Sequence, residues 1–198
     1  MVNTAEIWSL LEQVNDPEVP VLSVVDLGII RDVRELPSAR EGDSAAEGGA
    51  GVEGDLADER VSAVEGGTAA EGTTSLEVVI TPTYSGCPAM DVIRMNIRMV
   101  LLENGYKDVK LTTILSPAWT TDWMSARGKE KLKDYGIAPP LPSQQVCHPA
   151  LFHREEAVAC PHCNSYHTTL ISEFGSTACK ALYRCEDCRE PFDYFKCH

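Results

Sequence analysis

A chain of 198 residues has room for one domain or two small ones. It carries a formal net charge of −13 with no basic stripe, which excludes the phosphate-neutralising footprint of a nucleic-acid binder. No apolar run approaches the roughly 18 residues of a membrane span, and the stretch Met1–Glu6 is neither basic nor followed by an apolar core. A cytoplasmic protein with no membrane partner is expected.

Thr4 is placed to cap a first helix, whose apolar positions Ile7, Leu10, Leu11 and Val14 repeat at helical spacing. Asp16-Pro17 ends it, because the residue before a proline is driven from helical angles. Asp16-Pro17-Glu18-Val19-Pro20 then reads as a rigid acidic loop, Leu22–Leu27 as a turn, and Ile29–Glu35 as a strand. From Ser38 to Ser75 the chain holds eight of the fourteen glycines, and nine acids against Arg40 and Arg60, a net of −7. Residues 38–74 are therefore expected to be a disordered, solvated acidic insertion that carries most of the chain's charge excess.

Ser75–Ile80 predicts a second strand, and Met90, Ile93, Ile97, Val100 and Leu101 mark one face of a helix that Asn104-Gly105 ends. Between them lies Thr81-Pro82-Thr83-Tyr84-Ser85-Gly86-Cys87-Pro88. With Pro88 in the first helical turn, Cys87 is expected at the N-cap, where unpaired N–H groups and the helix dipole would lower its pKa. The alternative is a cysteine packed as a small hydrophobe. Val109, Leu111 and Thr113 give a third strand, after which Ser116-Pro117-Ala118-Trp119 turns the chain. Asp122 is expected to cap a short basic helix running through Tyr135 to Gly136. The resulting fold class is α+β: helices on a three-stranded sheet, built from residues 1–37 and 75–138.

A stiff Pro-containing linker, residues 139–156, leads to a change of composition. Seven of the eight cysteines lie between Cys147 and Cys197. Cys160-Pro161-His162-Cys163 and Cys185-Glu186-Asp187-Cys188 are two C-x-x-C knuckles, with strand-like runs at Thr168–Ser172 and Ala181–Arg184 between them. Four thiolates in that arrangement form the ligand set of a structural zinc ribbon, here residues 157–198. So small a module needs its metal to fold. Cys179 and Cys197 stand outside the knuckles, and Cys179 reads as core; His162 and His167 are alternative ligands. A closed four-thiolate site has no open position for catalysis. No Ser-His-Asp set, glycine-rich phosphate loop or H-E-x-x-H appears, and no base adjoins Cys87 in sequence.

Asp16-Pro17-Glu18-Val19-Pro20 through Ile30, the Thr81–Pro88 loop and Ser116–Trp119 resemble three motifs of the iron–sulfur assembly domain shared by SufT-like and cytosolic iron–sulfur assembly proteins. The tail, with Gly136–Pro140, the two knuckles, Phe174–Lys180 and Glu190-Pro191-Phe192, resembles the PaaD family, accessory subunits encoded with the multicomponent phenylacetyl-CoA epoxidase. The resemblance implies a non-enzymatic maturation factor in aerobic phenylacetate degradation, handing on an iron–sulfur cluster or iron. Its clients would be the di-iron epoxidase subunits or their iron–sulfur reductase. Cys87 would be the hand-off ligand, with Asp16, Glu18 and Thr83 around it. A single cysteine cannot hold a cluster, so the resemblance implies a transient cluster shared across a homodimer or with the client. A structural docking subunit, using the surface near Trp119 and Trp123, is the alternative.

Overall fold

A computed structural model describes residues 3–36, 75–141 and 158–196. The expected insertion at 38–74, most of the linker with Cys147, His148 and His153, and the terminal Cys197-His198 lie outside the described residues. The architecture is α+β. Helix α1 (Thr4–Leu11) leads to strand β1 (Ile30–Leu36), which pairs antiparallel with β2 (Ser75–Ile80). Helix α2 (Ala89–Glu103) then carries the chain over to β3 (Asp108–Thr113), parallel to β2, giving the order β1-β2-β3. A parallel neighbour needs such a crossover, since no hairpin can return the chain in the same direction.

The core lies between this sheet and α1 and α2. Ile7, Leu11, Leu76, Val78, Ile80, Ile93, Ile97 and Leu101 are all fully buried. Each such side chain contributes roughly 1.5–3 kcal/mol by leaving water. Central β2 is buried on both faces, so its one charge, Glu77, must be satisfied locally. Thr112 Oγ1 donates to it at 2.5 Å and Arg34 Nε at 2.7 Å. Those partners hold its carboxyl below the ordinary value, the Thr112 bond foremost.

Three local expectations are corrected. The first helix is capped by Asn3, whose side chain accepts the Glu6 N–H, rather than by Thr4. Asp122 does not start the basic helix; it sits in a 3₁₀ turn, Thr121–Trp123, and α3 (Ala126–Asp134) begins after Ser125. Ser125 wins because its Oγ accepts the Gly128 N–H at 2.8 Å while donating to Asp26 at 2.9 Å. Helix α2 starts one residue late, with Pro88 rather than Cys87 at the cap.

Beyond α3, Gly136 at φ +89 turns the chain into β4 (Ile137–Ala138), which joins a second sheet instead of the first. That sheet has the order β4-β7-β6-β5, with β5 (Thr168–Ser172), β6 (Lys180–Cys185) and β7 (Pro191–Phe195) forming an antiparallel meander and β4 parallel to β7. The two sheets are thus stitched by backbone as well as by side chains. Phe195 of β7 and Cys179, the residue just before β6, are buried in the core cluster of the first unit. Trp119 packs edge-on to Phe195 at 6.2 Å and donates its indole N–H to Leu27 O at 2.9 Å.

Candidate metal centre and thiol pocket

The two knuckles converge. The sulfurs of Cys160, Cys163, Cys185 and Cys188 all lie within 4.8 Å of one another, with Cys160–Cys188 at 3.7 Å and Cys163–Cys185 at 3.5 Å. A tetrahedral ion with metal–sulfur bonds of about 2.3 Å would set sulfurs about 3.8 Å apart, so the group fits one metal ion. The N–H groups of the second knuckle are aimed at its sulfurs. A bond from the Cys188 N–H holds Cys185 down to about 7 against the pull of burial. Cys188 goes the other way, up to about 12, because burial and the neighbouring sulfurs outweigh the Glu190 N–H that favours its thiolate. A cation among them would let all four ionise together. His167 is not part of this set: its Nδ1 lies 3.2 Å from Asp187 Oδ1. The His162 ring lies instead against Gly136, 3.2 Å from where a Cβ there would stand.

A second group gathers at the junction of the two units. Asp16, 8% exposed, uses one carboxylate oxygen to accept the N–H groups of Glu18 (2.7 Å) and Val19 (2.9 Å). Burial raises its pKa, and those two bonds only partly offset it. Asp16 therefore shapes the loop, and the loop presents Glu18. Glu18 Oε2 accepts the Cys179 thiol at 3.5 Å, while Lys180 Nζ donates to the Glu18 carbonyl at 3.4 Å.

Cys87 is half-buried at the end of the loop, its carbonyl receiving the Met90 N–H at 3.2 Å. Its pKa is raised, contrary to the expected lowering. Burial is the main cause; the Ala89 N–H pulls toward the thiolate, but the Glu18 and Asp16 carboxylates push against it. The same carboxylates, after burial, bring Cys179 up to about 11. The Tyr84 hydroxyl bonds to Cys87, and burial together with the charges of Cys87, Glu18 and Cys179 takes Tyr84 up to about 12.

Of the residues expected at the hand-off site, Asp16 and Glu18 share one loop, and the charge of both carboxylates reaches the Cys87 thiol. Thr83 is half-buried in the Cys87 loop, but no hydrogen bond joins it to them among the described residues. Sequence reasoning left out Tyr84 and Cys179; both stand in the quoted motifs, but nothing local to either points to Glu18. Cys179 is buried core, as expected, and also faces a carboxylate. Trp119 is buried, and Trp123 is half-buried beneath Arg31, whose guanidinium sits 3.5 Å from its ring centre. The exposed large apolar side chains of the first unit are instead mostly on α2: Val92, Met95, Met99 and Leu102.

This fold couples an α+β unit to a β ribbon whose four cysteines are grouped as the ligands of one metal ion would be. A profile described as the PaaD zinc beta ribbon domain matches residues 145–196. A protein of Escherichia coli (strain K12) that bears the name of a 1,2-phenylacetyl-CoA epoxidase subunit is 45% identical, with 97% of this chain and 92% of that protein aligned. The chain belongs to this PaaD family of phenylacetyl-CoA epoxidase subunits. Among solved structures, a DUF59 domain from Bacillus anthracis is 22% identical with a TM-score of 0.42, covering 65% of this chain and 89% of that one. A conserved hypothetical protein from Thermotoga maritima is 20% identical with a TM-score of 0.42, covering 66% and 94%. No helix of the described residues is long and apolar enough to cross a membrane.

Proposed function

We propose that this chain is a non-catalytic maturation factor of a phenylacetyl-CoA epoxidase system, passing iron or an iron–sulfur cluster to a client through Cys87. The cluster or iron is cargo here; the resident metal is a structural zinc held by Cys160, Cys163, Cys185 and Cys188. The carrying observation is the company Cys87 keeps. Its thiol is shielded from water, opposed by the Glu18 and Asp16 carboxylates and bonded to Tyr84, which together keep it protonated. A nucleophile needs the opposite, a base or a positive field that frees the thiolate at neutral pH. A soft ligand tolerates this setting, because an arriving cation displaces the thiol proton itself. The relative's name supplies the system, and the epoxidase subunits or their iron–sulfur reductase are the proposed clients. Anaerobically purified protein should contain one zinc per chain in both wild type and Cys87→Ser. Iron and sulfide are expected only in the wild type or in its mixture with the client, and cells carrying Cys87→Ser should lose epoxidase activity. Full epoxidase activity with the variant would refute the assignment.

One observation supports a docking role alongside this. Val92, Met95, Met99 and Leu102 are 40–57% exposed and recur along one stripe of α2, the helix that begins next to Cys87. Exposed methionines make an adaptable apolar contact, and another component of the epoxidase system is the proposed occupant. Met95→Glu with Met99→Glu should weaken client binding and leave zinc content at one per chain. Unchanged binding would remove the docking role from α2.

A further inference from the structure

We infer that β5 is the interface of a homodimer, pairing antiparallel with β5 of a second copy of this chain. This surface is separate from the Cys87 loop and from α2, so the inference does not rest on the hand-off reading. In the order β4-β7-β6-β5, one side of β5 is taken by β6, and no strand among the described residues takes the other. Sheet edges are commonly guarded by Lys, Pro, a bulge or an inward charge. Thr168-Thr169-Leu170-Ile171-Ser172 has no charge and no proline; its one guard is the bulge that leaves Ile171 without a partner in β6. The bulge falls after Leu170, so the strand up to that point keeps regular alternation. His167 O accepts the Glu186 N–H at 2.8 Å. Counting from there, Thr169 faces β6, and Leu170 turns its N–H and C=O to the open side. The side chains are exposed too: Tyr166 by 66%, Leu170 by 43%, Ile171 by 54% and Phe174 by 60%. They are four of the ten large apolar side chains exposed among the described residues, and they fall within the short stretch Tyr166–Phe174. Single exposed apolar residues are ordinary, whereas such a concentration along an open edge marks a contact surface.

The occupant is a second copy because the stretch Tyr166–Phe174 is complementary to itself. With a twofold axis at Leu170, antiparallel pairing sets Tyr166 against Phe174 of the second copy and His167 against Glu173. Thr168 then meets Ser172, and Thr169 meets Ile171. Aromatic faces aromatic, imidazole faces carboxylate, and no like charges stand opposite each other. Leu170 meets itself on the axis, where its outward peptide groups exchange two backbone hydrogen bonds. Lys196 Nζ lies 4.2 Å from the centre of the Phe174 ring and steadies that ring at the end of the strand. The assembly closes at two. Each copy spends its β5 edge on the axis, and the other end of the sheet is β4, two buried residues packed beside α3.

The test is sedimentation equilibrium of the full chain loaded with zinc, over roughly 1–100 μM, because an edge-strand interface is small and of the weaker class. Wild type should approach twice the chain mass of 21.6 kDa. Leu170→Lys sets two like charges together on the axis and should weaken association by about tenfold or more, with zinc still at one per chain. Met95→Glu with Met99→Glu should leave the dimer as it is. A wild type that stays monomeric over this range overturns the proposal. So does a dimer that survives Leu170→Lys, or one that is lost with the α2 variant instead. A readout free of substitution is hydrogen exchange at the Leu170 amide of the wild type. Its N–H is bonded across the axis only in the dimer, so its exchange should slow as the concentration rises through the association. A Leu170 amide whose exchange does not change with concentration removes the interface from β5, even where Leu170→Lys fails to fold.

Discussion

Asp26 is the clearest place to test whether this reading of the fold is sound, because its environment is closed and its partners are few. The carboxylate is fully buried, with Lys131 Nζ at 2.6 Å, Ser125 Oγ at 2.9 Å and Arg127 Nε at 3.1 Å. It fastens α3 to the turn that follows the Asp16 loop, and the Asp26 N–H donates to Ser23 Oγ at 3.0 Å. Burial alone would raise its pKa, but the bonds from Lys131, Ser125 and Arg127 overcome that and bring it to about 2 from an ordinary 3.8. The drop corresponds to about 2.4 kcal/mol of folding free energy. Since the folded value lies below the unfolded one, this contribution is complete above about pH 5. It is lost as the pH falls through 2, with about half left at pH 3. Asp26→Asn should therefore cost about 2 kcal/mol at pH 7 but only about 1 kcal/mol at pH 3, read from urea denaturation of both proteins at each pH. Acid loss of the ribbon metal weakens both alike and cancels in the difference. The melting temperature at pH 7 should fall by roughly 5–10 °C. An Asn variant as stable as wild type at pH 7, or a difference that does not shrink on acidification, would refute the assignment of this ion cluster as a stabilising tie.

Gly28 has φ +68, and a Cβ there would overlap the Trp123 carbonyl oxygen, a backbone atom that cannot swing aside. Gly28→Ala should cost roughly 3 kcal/mol from strain and overlap combined, measured by denaturant unfolding; a cost under about 1 kcal/mol would mean that this turn is wrongly drawn. Removing the ribbon metal with a chelator should melt the ribbon and, through β4 and Phe195, loosen the first unit. The near-ultraviolet circular dichroism of Trp119 should fall as a result, whereas two units that unfold independently would leave it unchanged. Alkylation of Cys179 followed by mass spectrometry should stay slow at pH 8 and climb toward pH 11, where its thiolate forms. Fast labelling at pH 7 would contradict its burial beside Glu18.

Much of this protein is written in local pattern. The apolar spacing of α1 and α2, the β-branched run of β2, the proline after Asp16 and the two knuckles act over a few residues, where backbone geometry and periodicity decide the outcome. Those signals suffice for the α+β class and for the four cysteines as one group. Strand β4 had no such signal: two residues carry no period, and its partner β7 lies more than fifty residues away. The α3 start was misplaced because two polar residues, Asp122 and Ser125, compete for it, and Asp26 settled the choice from a distance of 99 residues. The sign of the Cys87 pKa was likewise out of local reach. A helix start argues for a lowered thiol, yet the fold buries the sulfur and sets Glu18 and Asp16 near it, and desolvation with like charge outweighs one N–H bond. Cys179 is the fullest case. Its meeting with Glu18 spans 161 residues and two folding units, so sequence alone marks it as an apolar filler, and only tertiary packing makes it the neighbour of a carboxylate.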